Sequence, residues 1–219
     1  MPSYEEDFTK NYEFGWKTTW QDSRLRFNGA IYHVEWEDFQ YSILDFTVSN
    51  LTIINNAGQA TVNGFEFDMD YAMTDQLTLS LAASYNDAEL DEDLINGTDL
   101  EAAEGAELPF TPKLQYTAIG RYETVISGFD TYAQAAWSHT DDSWSDLRAD
   151  FRLKQDSYDL VNLSAGIARN NWSVDLFVQN ATDERPEISR FNPGYESTVD
   201  TTTNTTRPRT IGLRFGQKF

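Results

Sequence analysis

From about residue 10 to the last residue the chain repeats one pattern: short stretches in which apolar and polar positions alternate, each closed by a polar break. A period of two sends successive side chains to opposite faces of an extended strand, so each stretch has one apolar and one polar side. Nine stretches fit. In the first, Tyr12, Phe14, Trp16, Thr18 and Trp20 oppose Asn11, Glu13, Gly15, Lys17 and Thr19. The second runs Leu25, Phe27, Gly29, Ile31 and then shifts parity to Tyr32, Val34 and Trp36, which predicts either a bulge or aromatic side chains turned to the other face. The third sets Phe65, Phe67, Met69 and Tyr71 against Glu66, Asp68 and Asp70; the fourth sets Leu77, Leu79, Leu81, Ala83 and Tyr85 against Thr78, Ser80, Ala82 and Ser84. The fifth carries Leu114, Tyr116, Ala118 and Tyr122, and the sixth Ala133, Ala135 and Trp137. The seventh uses Val161, Leu163, Ala165 and Ile167, and the eighth Trp172, Val174, Leu176 and Val178. In the last, Ile211, Leu213, Phe215 and Phe219 face one way and Thr210, Gly212, Arg214 and Lys218 the other, with Gln217 breaking the apolar set. No stretch sustains the i, i+3, i+4 spacing of a helix.

The links between these strands alternate in length. Short ones lie at Gln21-Asp22-Ser23, around Met73-Thr74-Asp75, from Glu123 to Gly128 and at Arg169-Asn170-Asn171. Long ones run from about Gln40 to Gln59, Asn86 to Pro112, His139 to Ser157 and Ala181 to Pro208. In an up-and-down sheet alternate links lie at opposite ends, so one end is tight and the other elaborated. Outer-membrane barrels segregate loop length in this way, and soluble sandwiches rarely do. The pattern predicts an all-β, antiparallel, up-and-down transmembrane barrel sheet of about nine strands.

Composition narrows this. No run of 18 apolar residues occurs and mean hydropathy is −0.56, which excludes a helical membrane protein but not a barrel, since only alternate strand residues face lipid. Aromatic residues make up 14% of the chain, enough for girdles at both membrane interfaces. The net charge of −20 argues against nucleic acid as a partner, because phosphate binding requires clustered Lys and Arg. With no cysteine there is neither a disulfide scaffold nor a thiolate metal site. The first residues, Met1-Pro-Ser-Tyr-Glu-Glu-Asp7, form no signal peptide, so the expectation is either a cytosolic protein or the interior of a longer precursor.

Several segments resemble the C-terminal half of a TonB-dependent outer-membrane receptor, in order and spacing across the chain. They are Asn11-Tyr-Glu-Phe-Gly-Trp-Lys17, Asn56-Ala-Gly through Asn63-Gly-Phe-Glu66, Leu108-Pro-Phe-Thr-Pro-Lys113, the strand Trp172 to Gln179 followed by Asn180-Ala-Thr-Asp-Glu184, and the terminal Phe219. The resemblance implies that residues 1–219 are strands fourteen to twenty-two of a 22-stranded barrel whose lumen holds a plug domain. It implies import of a siderophore or another scarce nutrient across the outer membrane of a Gram-negative bacterium, without enzymatic activity or a cofactor. The implied partners are outer-membrane lipid and lipopolysaccharide, the plug, the TonB system and the barrel-assembly machinery, which would engage the strand of Ile211, Leu213, Phe215 and Phe219. Plug domain, TonB box and signal peptide are expected to be absent from this chain. A passive porin-like barrel and a soluble sandwich are the competing readings.

Candidate chemistry is sparse. His139 with Ser138 or Ser143 could be forced into a hydrolytic arrangement, but no catalytic motif surrounds it. Asp87 to Gly97 resembles a calcium loop only in composition, lacking the order of an EF-hand, and reads as a solvated acidic loop. Residues 86–112 hold nine acidic side chains and no basic one, which disfavours a strongly anionic ligand there. The loop residues expected to touch ligand are His139, Trp144, Arg148, Arg152, Arg190 and Phe191. Glu66, Asp68, Asp70 and Arg214 are expected to face the lumen, the carboxylates solvated or paired with basic groups on neighbouring strands or, by preference, on the plug.

Overall fold

The computed structural model describes residues 4–45, 51–56, 58–96, 98–191 and 201–218. Its strands in chain order are β1 (Phe8–Trp20), β2 (Leu25–Glu37), β3 (Gln40–Asp45), β4 (Leu51–Asn56), β5 (Ala60–Ala72) and β6 (Leu77–Leu90). Then follow β7 (Leu94–Asn96), β8 (Asp99–Ala102), β9 (Leu114–Ile126), β10 (Phe129–Thr140), β11 (Ser143–Trp144) and β12 (Lys154–Gln155). The last are β13 (Tyr158–Arg169), β14 (Trp172–Gln179), β15 (Glu187–Phe191), β16 (Thr202–Thr205) and β17 (Thr210–Gln217). Nine of them form one sheet in the order β1-β2-β5-β6-β9-β10-β13-β14-β17, every neighbouring pair antiparallel. These are the nine alternating stretches, and the meander has no crossover. Among the described residues β1 and β17 each pair on one side only, so the sheet is open.

The long links are not plain loops, as the sequence suggested. Each carries a hairpin of its own: β3–β4, β7–β8, β11–β12 and β15–β16. Two of the short links are tighter than expected, and the other two span four residues each. Between β9 and β10 only Ser127 and Gly128 intervene, with φ of 54° and 81°. Two successive positive values belong to the mirror-image turn whose twist matches that of the flanking strands. The β1–β2 turn runs through three positive φ values at Gln21, Asp22 and Ser23. An ion pair between Arg24 and Asp75 ties it to the β5–β6 turn.

The parity shift in β2 is not a bulge. Register is continuous from Phe8↔Glu37 to Trp20↔Leu25 on one side and from Leu25↔Tyr71 to Trp36↔Ala60 on the other. Tyr32 points to the polar face, where its ring lies over Gly64 and its hydroxyl meets the Asn86 side chain. A Cβ on Gly64 would come within 2.5 Å of that ring and 2.6 Å of the Tyr85 carbonyl oxygen. The glycine is therefore required by close approach.

The sheet itself has no hydrophobic core. Its apolar face is open: Phe14 is 66% exposed, Leu213 70% and Leu176 51%, with Trp20, Ile31, Tyr122, Leu163, Ile211 and Phe215 on the same side. The principal buried cluster lies instead where the long links meet the ends of β5 and β6. Phe39, Ala60, Leu90, Leu94, Ala102 and Leu147 pack together, flanked by Trp36, Tyr41, Ala106 and Leu108. Three hairpins thus share one small core. Among the described residues no helix is long and apolar enough to cross a membrane, which says nothing of crossing by strands.

Candidate functional site

Register places Glu66, Asp68 and Asp70 of β5 opposite Ser84, Ala82 and Ser80 of β6 and opposite Ala30, Asn28 and Arg26 of β2. Arg214 of β17 lies opposite Asp175 of β14. All belong to the polar face. Asp70 accepts from Ser80 Oγ at 2.6 Å and pairs with Arg26; Asp68 accepts from Asn28 Nδ2 at 3.1 Å. Arg121 reaches Gln134 Oε1 at 3.1 Å and Glu123 at 2.9 Å, and sits over the Tyr132 ring, whose hydroxyl donates to Asp175 at 2.8 Å. Glu13, Lys17 and Glu66 have no ion-pair partner among the described residues.

A hollow of about 900 Å³ opens on this face, lined by Glu13, Lys17, Asn28, Glu66, Asp68, Ser84, Gln115, Thr117 and Ser138 among others. Its walls come from six consecutive strands, which requires the sheet to curve toward its polar side. Three carboxylates against one ammonium make the hollow acidic.

The opposite face carries aromatic side chains near the long-link end. Tyr116 stacks on His139 at 5.0 Å and meets Trp137 edge-on at 5.0 Å. Asp159 Oδ1 accepts from Trp137 Nε1 at 2.6 Å and lies 3.0 Å from His139 Nδ1. His139 therefore belongs to an aromatic rim beside the apolar face. Its parity is that of Trp137 and Ala135, and it also borders the hollow at the long-link end.

The other expected ligand residues separate sharply. Arg148 is turned into the loop core: Nε and Nη2 hold Asp146 at 3.0 and 2.7 Å, and the guanidinium lies 4.5 Å from the Phe151 ring. Tyr41, from the β3–β4 hairpin, donates to the same carboxylate at 2.9 Å. Burial pushes the Asp146 carboxyl up, but Arg148 and the Tyr41 hydroxyl outweigh it and hold it below the ordinary carboxylate value. Burial, and then the Asp146 charge, push the Tyr41 hydroxyl well up. This trio is a structural clasp. Arg152, by contrast, lies over the Trp144 ring at 4.3 Å and pairs with no carboxylate among the described residues. Arg190 contacts Glu187 at 3.4 Å. The Phe191 side chain and Phe219 lie outside the described residues.

The acidic link is partly neutralised from outside its own span. Lys113 reaches Asp87 at 2.8 Å, Glu107 at 3.1 Å and Glu89 at 3.5 Å, and Asp87 and Glu107 raise its pKa. Among the described residues no His, Asp or Glu cluster is suited to a metal ion. One motif has a clear structural meaning. Asn180 is 6% exposed; its Nδ2 donates to Glu184 O and Arg207 O, and its Oδ1 accepts from Glu184 N. Asp183 accepts the Arg209 N–H at 2.8 Å, which, ahead of the Arg185 charge, holds its carboxyl down. Together they lash both ends of the last long link to the strands. Sequence reasoning missed Gln155, which is 3% exposed with an unpartnered Nε2; nothing in the local pattern marks a buried glutamine.

A curved antiparallel meander with an acidic hollow on one side and an uncovered apolar face on the other is part of the wall of a transmembrane β-barrel. The family model described as TonB dependent receptor-like, beta-barrel, matches residues 6–181. The chain belongs to that family, whose members are transporters rather than enzymes. It is similar in fold to the ferric yersiniabactin uptake receptor FyuA from Yersinia pestis, at 16% identity and a TM-score of 0.76, covering 97% of this chain and 30% of that one. The siderophore receptor PiuA from Acinetobacter baumannii gives 21% identity and 0.73, covering 96% and 28%. The ferric-catecholate import receptor Fiu from Escherichia coli K12 gives 20% and 0.71, covering 99% and 28%. The chain thus spans less than a third of the length of these receptors.

Proposed function

We propose that this chain forms strands fourteen to twenty-two of a TonB-dependent receptor that takes up a siderophore or another scarce nutrient across the outer membrane of a Gram-negative bacterium. The observation that carries the reading is the two-sided sheet: an apolar face with no protein cover, and an acidic hollow on the other face. The apolar face meets lipid, since side chains such as Phe14, Leu176 and Leu213 have no other cover. The long hairpins then lie outside the cell and the tight turns on the periplasmic side. The hollow is the lumen, and Glu66 and Asp68 meet basic side chains of a plug domain there, because carboxylates under a plug require paired charge.

Two edges without partners are incompatible with hydrocarbon, where each unpaired backbone group costs several kcal/mol. In the intact barrel β1 therefore meets the preceding strand, and β17 meets the first. The test is the purified 219-residue chain in lipid, followed by heat-modifiable migration and single-channel conductance. The expected result is neither a folded band nor steady conductance unless the remaining strands and plug are co-expressed. Reproducible conductance from the chain alone would replace this reading with a porin-like barrel.

A further inference from the structure

The polar face of the sheet is not uniform across its width. Two rows of residues show this, one through Gln115 of β9 and the next through Thr117. Followed toward β1, the first reaches Ser84 and Glu66, and the second reaches Ala82, Asp68, Asn28 and Lys17. Followed the other way, onto β10, they reach Thr140 and Ser138. Between the long-link end and Arg121, the polar-face positions of β9, β10 and β13 hold no Asp, Glu, Lys or Arg. On the β1–β5 side, by contrast, Glu13, Lys17 and Glu66 have no ion-pair partner among the described residues.

Nearer the tight-turn end, the β9–β17 side does carry charges, and it answers most of them on the wall itself. Arg121 meets Glu123 at 2.9 Å and lies 4.1 Å from the centre of the Tyr132 ring, whose hydroxyl donates to Asp175 at 2.8 Å. Arg214 lies across from Asp175 in register and 5.9 Å from the Phe177 ring. The Tyr132 and Phe177 rings lie over Gly166 and Gly212, where any Cβ would collide with them, so the wall is low in relief there. A domain filling the hollow is therefore moored by ion pairs at Glu66 and its neighbours, and on the other side only touches neutral or already paired groups. Charge-assisted hydrogen bonds hold about twice as strongly as neutral ones, so the two surfaces part first where the charges are absent. We propose that the passage for cargo opens between the plug and the inner face of β9, β10, β13, β14 and β17, while the plug stays moored to the β1–β6 side. This rests on the receptor reading, and it gives the passage a lining of amides and hydroxyls such as Gln115, Thr117, Ser138 and Asn162.

The chain has no cysteine, so single cysteines can report on the two sides. Ser164→Cys lies on β13 opposite Gln134 and Phe177, and Ser84→Cys lies on β6 opposite Glu66. Each is made in the receptor with the remaining strands and plug co-expressed. The rate of labelling by a membrane-impermeant maleimide is measured in outer-membrane vesicles, relative to the rate after denaturation, with the unsubstituted receptor as background. Ser164→Cys is expected to label about tenfold faster than Ser84→Cys, the ratio given by one mooring interaction. Adding Glu66→Gln should speed labelling at Ser84→Cys roughly tenfold and leave Ser164→Cys as it was. Adding Glu123→Gln, whose charge Arg121 already matches, should change neither. Equal rates, or faster labelling at Ser84→Cys, overturn the proposal. So does a Glu66→Gln without effect at Ser84→Cys, or a Glu123→Gln that loosens the plug as much. Heat-modifiable migration separates the two readings. A folded barrel in which both cysteines label at the denatured rate has no plug in its hollow, and the receptor reading falls with the proposal. Equally slow labelling keeps that reading and sinks only the assignment of sides.

Discussion

Arg148 and Arg152 sit four positions apart on one link and play opposite parts. Arg148 is 13% exposed and bound through two nitrogens to Asp146, which also receives the Tyr41 hydroxyl from a hairpin 105 residues away. Arg152 rests on Trp144 with its charge unmatched. The Asp146→Asn substitution removes the carboxylate that joins two hairpins and is expected to cost the loop cluster about 1.5–3 kcal/mol, read as faster amide exchange at Tyr41 and Leu147. The pH dependence has a definite sign. The Asp146 carboxyl titrates below its ordinary value in the folded state, so its contribution is complete above the unfolded carboxylate range and is lost as pH falls through the depressed folded value. Protection of these amides, measured relative to their intrinsic exchange rate at each pH, is therefore expected to be flat from neutral pH down to about pH 5 and to fall below about pH 4. Constant protection throughout would show that the clasp is not ionic. Asn180 makes a second clasp. Asn180→Ala strips three side-chain hydrogen bonds and should destabilise the β14–β17 connection by about 1–3 kcal/mol, measured by proteolytic cleavage between residues 184 and 208.

At the scale of the element, the nine long strands and their two faces were legible because a strand of 8 to 14 residues repeats its alternation often enough to be seen. The hairpins within the long links were not. Strands β11 and β12 have two residues each and β7 has three, too few for any period to register, and their pairing is set by the core around Phe39 and Leu147. Arg148 and Arg152 could not be told apart for a related reason: neither the partner Tyr41 nor the burial of Asp146 is a local property. Two substitutions test the element-level account. Leu79→Arg places a charge on the apolar face and should cost roughly 2–4 kcal/mol near mid-membrane, while Ser80→Arg, beside Asp70 on the polar face, should cost far less. Equal tolerance in an urea titration in lipid would invert the two faces. Gly64→Ala drives a methyl into the Tyr32 ring and the Tyr85 backbone oxygen, so loss of the Tyr32–Asn86 contact is expected, visible as a change in tyrosine near-ultraviolet circular dichroism.

Taken whole, the molecule inverts the usual distribution of burial. Its broad sheet is uncovered on the apolar side, while its packed core of Phe39, Ala60, Leu90, Leu94, Ala102 and Leu147 sits at one end, in the links and the strand ends beside them. That end is accordingly a joined platform, and its hairpins should resist protease as a group even where the sheet edges are open. The opposite end is bare. Its links between paired strands shrink to Ser127-Gly128 and Asn170-Asn171, with two more of four residues, and the Arg24–Asp75 bridge draws the first pair of turns together. A machine pulling from that side finds no protruding handle on the wall. On the proposed reading, a partner acting from that side would engage the piece in the hollow rather than the wall, which would serve as its casing.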